Sequence, residues 1–325
     1  MNKVLFVVGP TASGKTSLAL DLAPKINGVI LNADSRQVYK GLDIISGKDI
    51  PDKAEFVKTE NPTKNKKYNV GYYKFNSTPV YLLDLVTPTY EFNVYDYLDI
   101  TIPTIDKVIG LDKIPIVVGG TGFYIKALLD GIATVNIPQD KKLRKRFEGL
   151  QIEELQKIIK KKDPEKFLKM NESDFQNKRR LIRAIEIAQY VKKVGKREGK
   201  IAKLENMSVL IIGLTATREI INERIDERVE KRITQGALDE AKKLFDNYKN
   251  LSEQVKTGGG YRDLFEYLKG NIALEEAVEK WKVTEHHIAK KQIVWFQKDK
   301  RIKWFDITEN KFEIKVKKII DKWLK

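Results

Sequence analysis

The chain has 325 residues, no cysteine, two histidines, and 61 Lys+Arg against 45 Asp+Glu, a formal net charge of +16. That length holds about two ordinary domains, and 42% hydrophobic with 33% charged residues is the composition of neither a disordered nor a membrane-embedded chain. Without cysteine there are no disulfides, no thiolate catalysis and no Cys-based zinc fingers, and two histidines exclude a three-imidazole metal site.

Met1-Asn2-Lys3 leads straight into the apolar run Val4–Val8, a strand buried on both faces and too short for a signal peptide. No apolar run reaches the roughly 18–20 residues that cross a bilayer. A chain that stays off membranes is therefore expected, and it is read as a cytoplasmic protein and a monomer. Gly9-Pro10-Thr11-Ala12-Ser13-Gly14-Lys15-Thr16 follows, then a helical pattern over Ser17–Ala23. Val29–Leu31, Val80–Leu83 and Ile114–Val118 read as further buried strands, with a hairpin or long surface loop over 54–79. Strands alternating with helices predict an α/β fold, a P-loop-type parallel sheet flanked by helices. From Asp140 to about Lys203 the pattern becomes helical and basic, with Leu143, Phe147 and Leu150 on one face, Leu181, Ile185 and Ala188 on another, and a loop at Gly195 and Gly199. Val209–Leu214 restores a strand, and Thr217 can cap a long helix running through Phe245. The return to strand character predicts a mainly helical insertion, 127–204, within a catalytic core made of 1–126 and 205–325.

The charge is uneven. Residues 1–140 are neutral, 141–204 carry +12, 205–289 carry −3, and 290–325 carry +7. Clustered positive charge is the footprint of a polyanion partner; Lys spread on solvated helix faces gives the same numbers.

Gly9–Thr16 matches G-x-x-x-x-G-K-[ST] between a strand and a helix. Such a loop turns backbone N–H groups and a helix N-terminus toward phosphate oxygens. Lys15 can reach a terminal phosphate and the Thr16 hydroxyl can ligate Mg²⁺. The motif specifies a polyphosphate, not ATP. Val80-Tyr81-Leu82-Leu83-Asp84 weakly matches the second acid of nucleotide hydrolases. Asp34, just past the strand Val29–Leu31, sits where open parallel sheets bind ligands. It is either a proton acceptor for a nucleophile or a helix N-cap. Arg224, Arg228 and Arg232 recur every four residues beside an apolar stripe of Ile221, Ile225, Val229 and Ile233. They form a solvated face or direct an arginine onto a diphosphate.

Taken together, Gly9–Thr16, Asp34–Tyr39 with Gly41–Ile44, Val117–Tyr124, Arg179–Glu186, Arg218-Glu219 with Arg224–Arg228, Gly260–Arg262 and Ala289–Trp295 resemble the tRNA dimethylallyltransferase (tRNA isopentenyltransferase) family in order and spacing, from residue 9 to about 305. The resemblance implies a P-loop fold that does not consume ATP and instead transfers a dimethylallyl group from dimethylallyl diphosphate. The acceptor would be the exocyclic N6 amine of the adenosine 3′ of a tRNA anticodon, with Mg²⁺ on the leaving diphosphate. It implies that Asp34, Thr11 and Arg228 are catalytic, Asp34 as the base, and that Gly9 to Thr16 hold the diphosphate with Thr16 on the metal. The tRNA anticodon stem-loop would be touched by Asp34, Ser35, Arg36, Gln37, Thr121, Arg144, Arg179, Arg180, Leu181, Ile182, Arg183, Gly260, Tyr261, Arg262 and Lys290. Two stretches depart from the family. Residues 57–79 are longer than usual, and Thr284-Glu285-His286-His287-Ile288-Ala289-Lys290-Lys291 is poorer in Arg. The rivals are an adenylate dimethylallyltransferase acting on free AMP, ADP or ATP, a P-loop small-molecule kinase, and a non-catalytic RNA-binding protein.

Overall fold

The computed structural model describes residues 1–63, 67–195, 204 and 206–325. Gly199, read above as part of a loop, and Glu205, the expected start of the resumed core, lie outside the described residues. The chain divides into two compact units, Met1–Leu129 with Lys203–Lys325, and Asp130–Ala202.

The larger unit is an eight-stranded sheet. Its strands are β1 Lys3–Val8, β2 Gly28–Asn32, β3 Phe56–Lys58, β4 Gly71–Phe75, β5 Thr78–Tyr81, β6 Ile114–Gly119, β7 Ser208–Thr215 and β8 Ile302–Asp306, in the order β3-β4-β5-β2-β6-β1-β7-β8. From β5 to β8 the pairings are parallel, and β3 and β4 add an antiparallel edge. β1 lies between β6 and β7, and Val4 to Val8 are fully buried, which is why that strand reads as an unbroken apolar run. The helices of this unit are α1 Lys15–Leu22, α2 Val94–Ile109 and α3 Gly122–Asp130, then α9 to α14 after the insertion. These last are Arg218–Thr234, Ala237–Asn247, Glu253–Lys256, Tyr261–Leu268, Leu274–Phe296 and Phe312–Leu324.

Register sets the site. Val8 pairs with Gly119 and Gly213, and Asn32 pairs with Val118. The loops after β1, β2, β6 and β7 therefore leave the sheet at one edge, the carboxyl edge where ligands of open α/β sheets sit.

Three expectations need correcting. The helix capped by Thr217 does not run through Phe245: it ends at Thr234, and α10 starts after Gly236, whose φ of +99° breaks it. The strand expected over Val80–Leu83 starts and ends earlier, at Thr78–Tyr81, because Leu82 and Asp84 take left-handed backbone (φ +68° and +54°). Asp84 is held by Lys48 and by Tyr73 Oη (2.6 Å) and does not line the cavity at Lys15 and Thr16, so the second-acid reading is not met.

The smaller unit contains α4 Lys141–Glu148, α5 Ile152–Lys162, α6 Pro164–Leu168, α7 Glu172–Phe175 and α8 Lys178–Val194. Asp140 and Asn177 cap α4 and α8 by accepting from Leu143 N (3.0 Å) and Arg180 N (3.1 Å). Leu143, Phe147, Leu155, Ile159, Leu181 and Ile185 make its own apolar core, against which Leu150 and Ile182 pack.

Candidate functional site

The loop from β1 to α1 takes its shape from three left-handed residues, Gly9 (φ +146°), Ala12 (+61°) and Gly14 (+81°). A Cβ on Gly9 would also strike the carbonyl of Leu214 in β7, so only glycine fits there. The turns present backbone N–H groups as an anion nest. Lys15 Nζ donates to the carbonyl of Pro10 within the same loop. Enclosure by protein, then the nearby Arg228, lowers the Lys15 pKa from 10.5 to about 7, with Asp34 opposing. A second anion would reverse that balance.

Asp34 is fixed on both sides. Its N–H donates to Asn32 Oδ1 (3.0 Å), and its Oδ1 accepts from Arg36 N (2.8 Å). Ser35 N donates to Thr121 Oγ1 (3.0 Å), and Ala33 is tied to β6 through Val118 O (2.7 Å) and Thr121 N (3.2 Å). No helix starts at Asp34, so it is not a helix N-cap: its carboxylate holds a turn through Arg36 N and lines the site. Gln37 Nε2 donates to the carbonyls of Ser46 (3.2 Å) and Gly47 (2.8 Å), using its amide to hold the 46–47 turn.

Gln292 of α13, which sequence reasoning missed as a site residue, bridges the two loops. Its Oε1 accepts from Thr11 N (2.7 Å) and its Nε2 donates to Gly120 O (3.1 Å). A second missed residue is Glu240 in α10. Its buried carboxylate accepts from the N–H groups of Asp43 (2.8 Å), Ile44 (2.7 Å) and Ile45 (3.1 Å) and from Tyr261 Oη (2.7 Å). Gly41–Ile44 is pinned by this one side chain. A Gly-x-x-x-Glu spacing after a helix carries no warning of such a role.

Two cavities open at the carboxyl edge. A small one of about 80 Å³ is walled by Lys15, Thr16 and Arg228 and by the apolar Ile30, Phe75, Val80 and Val118. A larger one of about 610 Å³ carries Arg36, Arg262 and Lys291 and the half-exposed rings of Phe123 and Trp295. Thr11, Asp34, Ser46, Gly120 and Gln292 line both. Arg228 reaches this seam, with Nη1 3.5 Å from Thr11 Oγ1 and Nη2 3.5 Å from Asp49 Oδ2. Glu285 sits on the wall of the larger cavity. Burial raises its pKa above the usual carboxylate range, against the pull of Arg232 and Arg228.

The structure gathers Gly9 to Thr16, Asp34 to Gln37, Thr121, Arg228 and Arg262 around these cavities. It does not bring every expected residue there. Tyr261 lines the larger cavity while its hydroxyl bonds the buried Glu240, but Gly260 packs on Trp281 and Ile45 and does not line it. Arg262 is half-exposed and bonds Asp263 Oδ1 (2.8 Å) and Thr284 Oγ1 (2.8 Å). On α13 the cavity takes His287 and Lys291; Lys290 lies on a different face of the helix. His286 is spent on Asp226 of α9 (2.8 Å).

In the smaller unit, Arg144 makes a two-pronged bond to the buried Glu186 (2.6 and 2.9 Å). Arg183 donates to the same carboxylate (2.8 Å) and to the carbonyls of Ile137 (2.8 Å) and Thr134 (3.1 Å). Burial alone would raise the Glu186 pKa; the two guanidiniums outweigh it and hold it below the usual range. These arginines are internal struts. Leu181 is fully buried and Ile182 half-buried, so both pack rather than project. Arg180 is exposed and pairs with Asp174 (2.8 Å), and Arg179 is exposed.

Fold and site together define a P-loop α/β protein that presents a phosphate-binding loop, a fixed carboxylate and an adjoining larger cavity to one another. The family model described as IPP transferase matches residues 37–299, and the chain belongs to that family. The tRNA dimethylallyltransferase of Halalkalibacterium halodurans is 31% identical over 98% of this chain and 95% of its own length. That of Streptococcus agalactiae is 34% identical over 99% and 98%. The crystal structure of the full-length tRNA isopentenylpyrophosphate transferase from Bacillus halodurans superposes with a TM-score of 0.69 at 30% identity, covering 100% of this chain and 97% of that one.

Proposed function

We propose that the protein transfers a dimethylallyl group from dimethylallyl diphosphate to the exocyclic N6 amine of the adenosine 3′ of the anticodon in tRNA, releasing diphosphate. The observation that carries this reading is the seam: Thr11, Asp34 and Gln292 line both a small cavity with cations and an apolar wall and a large one with basic and aromatic rims.

In the small cavity Lys15 and Arg228 neutralise the diphosphate and Thr11 hydrogen-bonds it, which lowers the cost of breaking the bond between C1 and oxygen as positive charge builds on the allyl carbon. Ile30, Phe75, Val80 and Val118 offer that allyl group an apolar wall and keep water from it. The large cavity accepts the adenine once it leaves the stack, as enzymes acting on a base require. Phe123 and Trp295 offer faces for neighbouring bases, and Arg36, Arg262 and Lys291 offer charge for the backbone. Asp34 orients the amine and takes its proton as nitrogen bonds to carbon.

Among the described residues no cluster of three or more His, Asp or Glu could hold a metal. The Thr16 hydroxyl on the cavity wall fits an ion that takes most of its oxygens from the diphosphate and water, the habit of Mg²⁺. When bound, Mg²⁺ supplies further charge neutralisation to the leaving group. The exposed lysines of α4, α5 and α8 are suited to RNA phosphate.

The test is labelled dimethylallyl diphosphate with Mg²⁺ and either tRNA or AMP. Label in tRNA is expected; label in AMP alone would overturn the reading.

A further inference from the structure

Arg232 is an arginine in an unusual position. It is only 5% exposed, on α9 one turn beyond Arg228. Nη1 donates to the carbonyl of Ile45 (2.8 Å), but Nη2 is buried and has no partner. A buried N–H without an acceptor costs folding free energy, more so on a charged group.

The neighbourhood deepens the problem. Gly47 turns through left-handed backbone (φ +66°), and the volume that a single Cβ would occupy on it contains Nη2 of Arg232 and Nη2 of Arg228. Two guanidiniums therefore meet over one glycine. Like charges at contact repel strongly where water is scarce. Glu285 and Asp49 are near enough to favour the charged form, yet neither forms an ion pair with Arg232. Burial and Arg228 lower the Arg232 pKa to about 10, so it is still a cation at neutral pH.

The pair straddles the seam. Arg228 lines the small cavity and Arg232 the large one, and Arg228 Nη1 points at Thr11, common to both. An anion with several oxygens placed there would satisfy the orphan N–H and separate the two charges, and a guanidinium fork suits paired phosphate oxygens.

We propose that Arg232 is a second diphosphate-binding arginine, closing with Arg228 on the donor's diphosphate from the side of Gly47. This rests on the reading of the site given above. Gly47 is the residue that permits it, since any side chain would push the two guanidiniums apart.

The test titrates the full-length protein calorimetrically with inorganic diphosphate in Mg²⁺, and in parallel with an anticodon stem-loop RNA. Arg232→Met is expected to weaken diphosphate binding at least tenfold, to leave stem-loop affinity within threefold, and to hold or raise Tm. Arg232→Lys, which keeps the charge without the fork, should recover part of the loss. Arg228→Met is the control. If it loses diphosphate binding while Arg232→Met does not, this proposal alone is overturned; if the wild-type protein binds no diphosphate, the underlying reading falls. Loss of stem-loop affinity with diphosphate binding intact would assign Arg232 to an RNA phosphate and overturn the donor assignment. A drop in Tm with both affinities lowered would leave the Ile45 bond as its whole role and also overturn the proposal.

Discussion

Replacing Lys15 by Met should abolish turnover and make the protein more stable. The pKa of Lys15 falls from 10.5 to about 7 on folding, through enclosure and then Arg228. At about 1.36 kcal/mol per unit the full shift is an upper bound of roughly 5 kcal/mol against the charged form. Lys15 is only half-buried and its Nζ keeps the Pro10 carbonyl, so an expected net gain is about 2 kcal/mol. For a unit of this size that is a rise in Tm of roughly 4–8 °C. The sign with pH follows from the direction of the shift. Below pH 7 the ammonium is charged in both folded and unfolded chains and the penalty is complete. Between about 7 and 10.5 the folded chain releases the proton first, and the penalty fades. Thermal melts of wild type and the Lys15→Met variant at pH 6.5 and 9.5, with no diphosphate present, read this directly. A variant that melts below wild type at pH 6.5, or a gap just as wide at pH 9.5, would refute the assigned penalty. The same shift predicts that affinity for a donor analogue falls above pH 7 in wild type more steeply than in the variant.

Asp34→Asn should lower turnover at least about 100-fold while tRNA affinity stays within threefold, since the amide keeps the acceptor for Arg36 N but cannot take a proton; rate assays beside filter binding separate the two. Glu240→Ala should cost about 3 kcal/mol in urea melts, because it orphans three backbone donors and the Tyr261 hydroxyl. Glu186 is held below its ordinary range, so its contribution is present above about pH 4.5 and is lost as pH falls through the lower folded value. Hydrogen-exchange protection factors in α4 and α8, corrected for the intrinsic pH dependence of exchange, should fall on acidification in wild type and be low already at pH 7 in Glu186→Gln, at a cost of about 3 kcal/mol.

The legible parts of this fold were local. Val4–Val8 followed by the phosphate motif and α1 needs nothing beyond apolar continuity and glycine placement, and Asp34 follows from its position at a strand end. What was hidden depends on partners far along the chain. β8, Ile302–Asp306, sets Lys303 and Asp306 among apolar residues without alternation and is a strand only because β7 is there to pair with. That Arg144 and Arg183 share the buried carboxylate of Glu186, on the next turn of α8, is likewise not readable from their basic character. Lys290 and Lys291 differ by one residue and about 100° of helix, and α13 packs so that the second faces the cavity. Gly236 carried the break between α9 and α10, but a glycine inside an apolar period is tolerated often enough to be passed over.

The charge of the chain thus divides in a way that its net value conceals. Two arginines of the +12 segment share one buried carboxylate, so among the described residues its exposed positive charge is carried by lysines and by Arg146, Arg179 and Arg180. The nominally neutral N-terminal segment, by contrast, contributes a lysine that folding holds close to Arg228, and Arg228 in turn lies against Arg232. Three basic side chains gathered around one turn repel one another in the free protein, and under the function proposed above a diphosphate would relieve all three at once. The repulsion relieved on binding is part of the binding free energy, so it tightens the ligand and through that affinity raises the stability of the bound form. An enzyme that must hold a leaving group tightly while its bond to carbon breaks gains from that arrangement, because the attraction grows as negative charge collects on the departing oxygen.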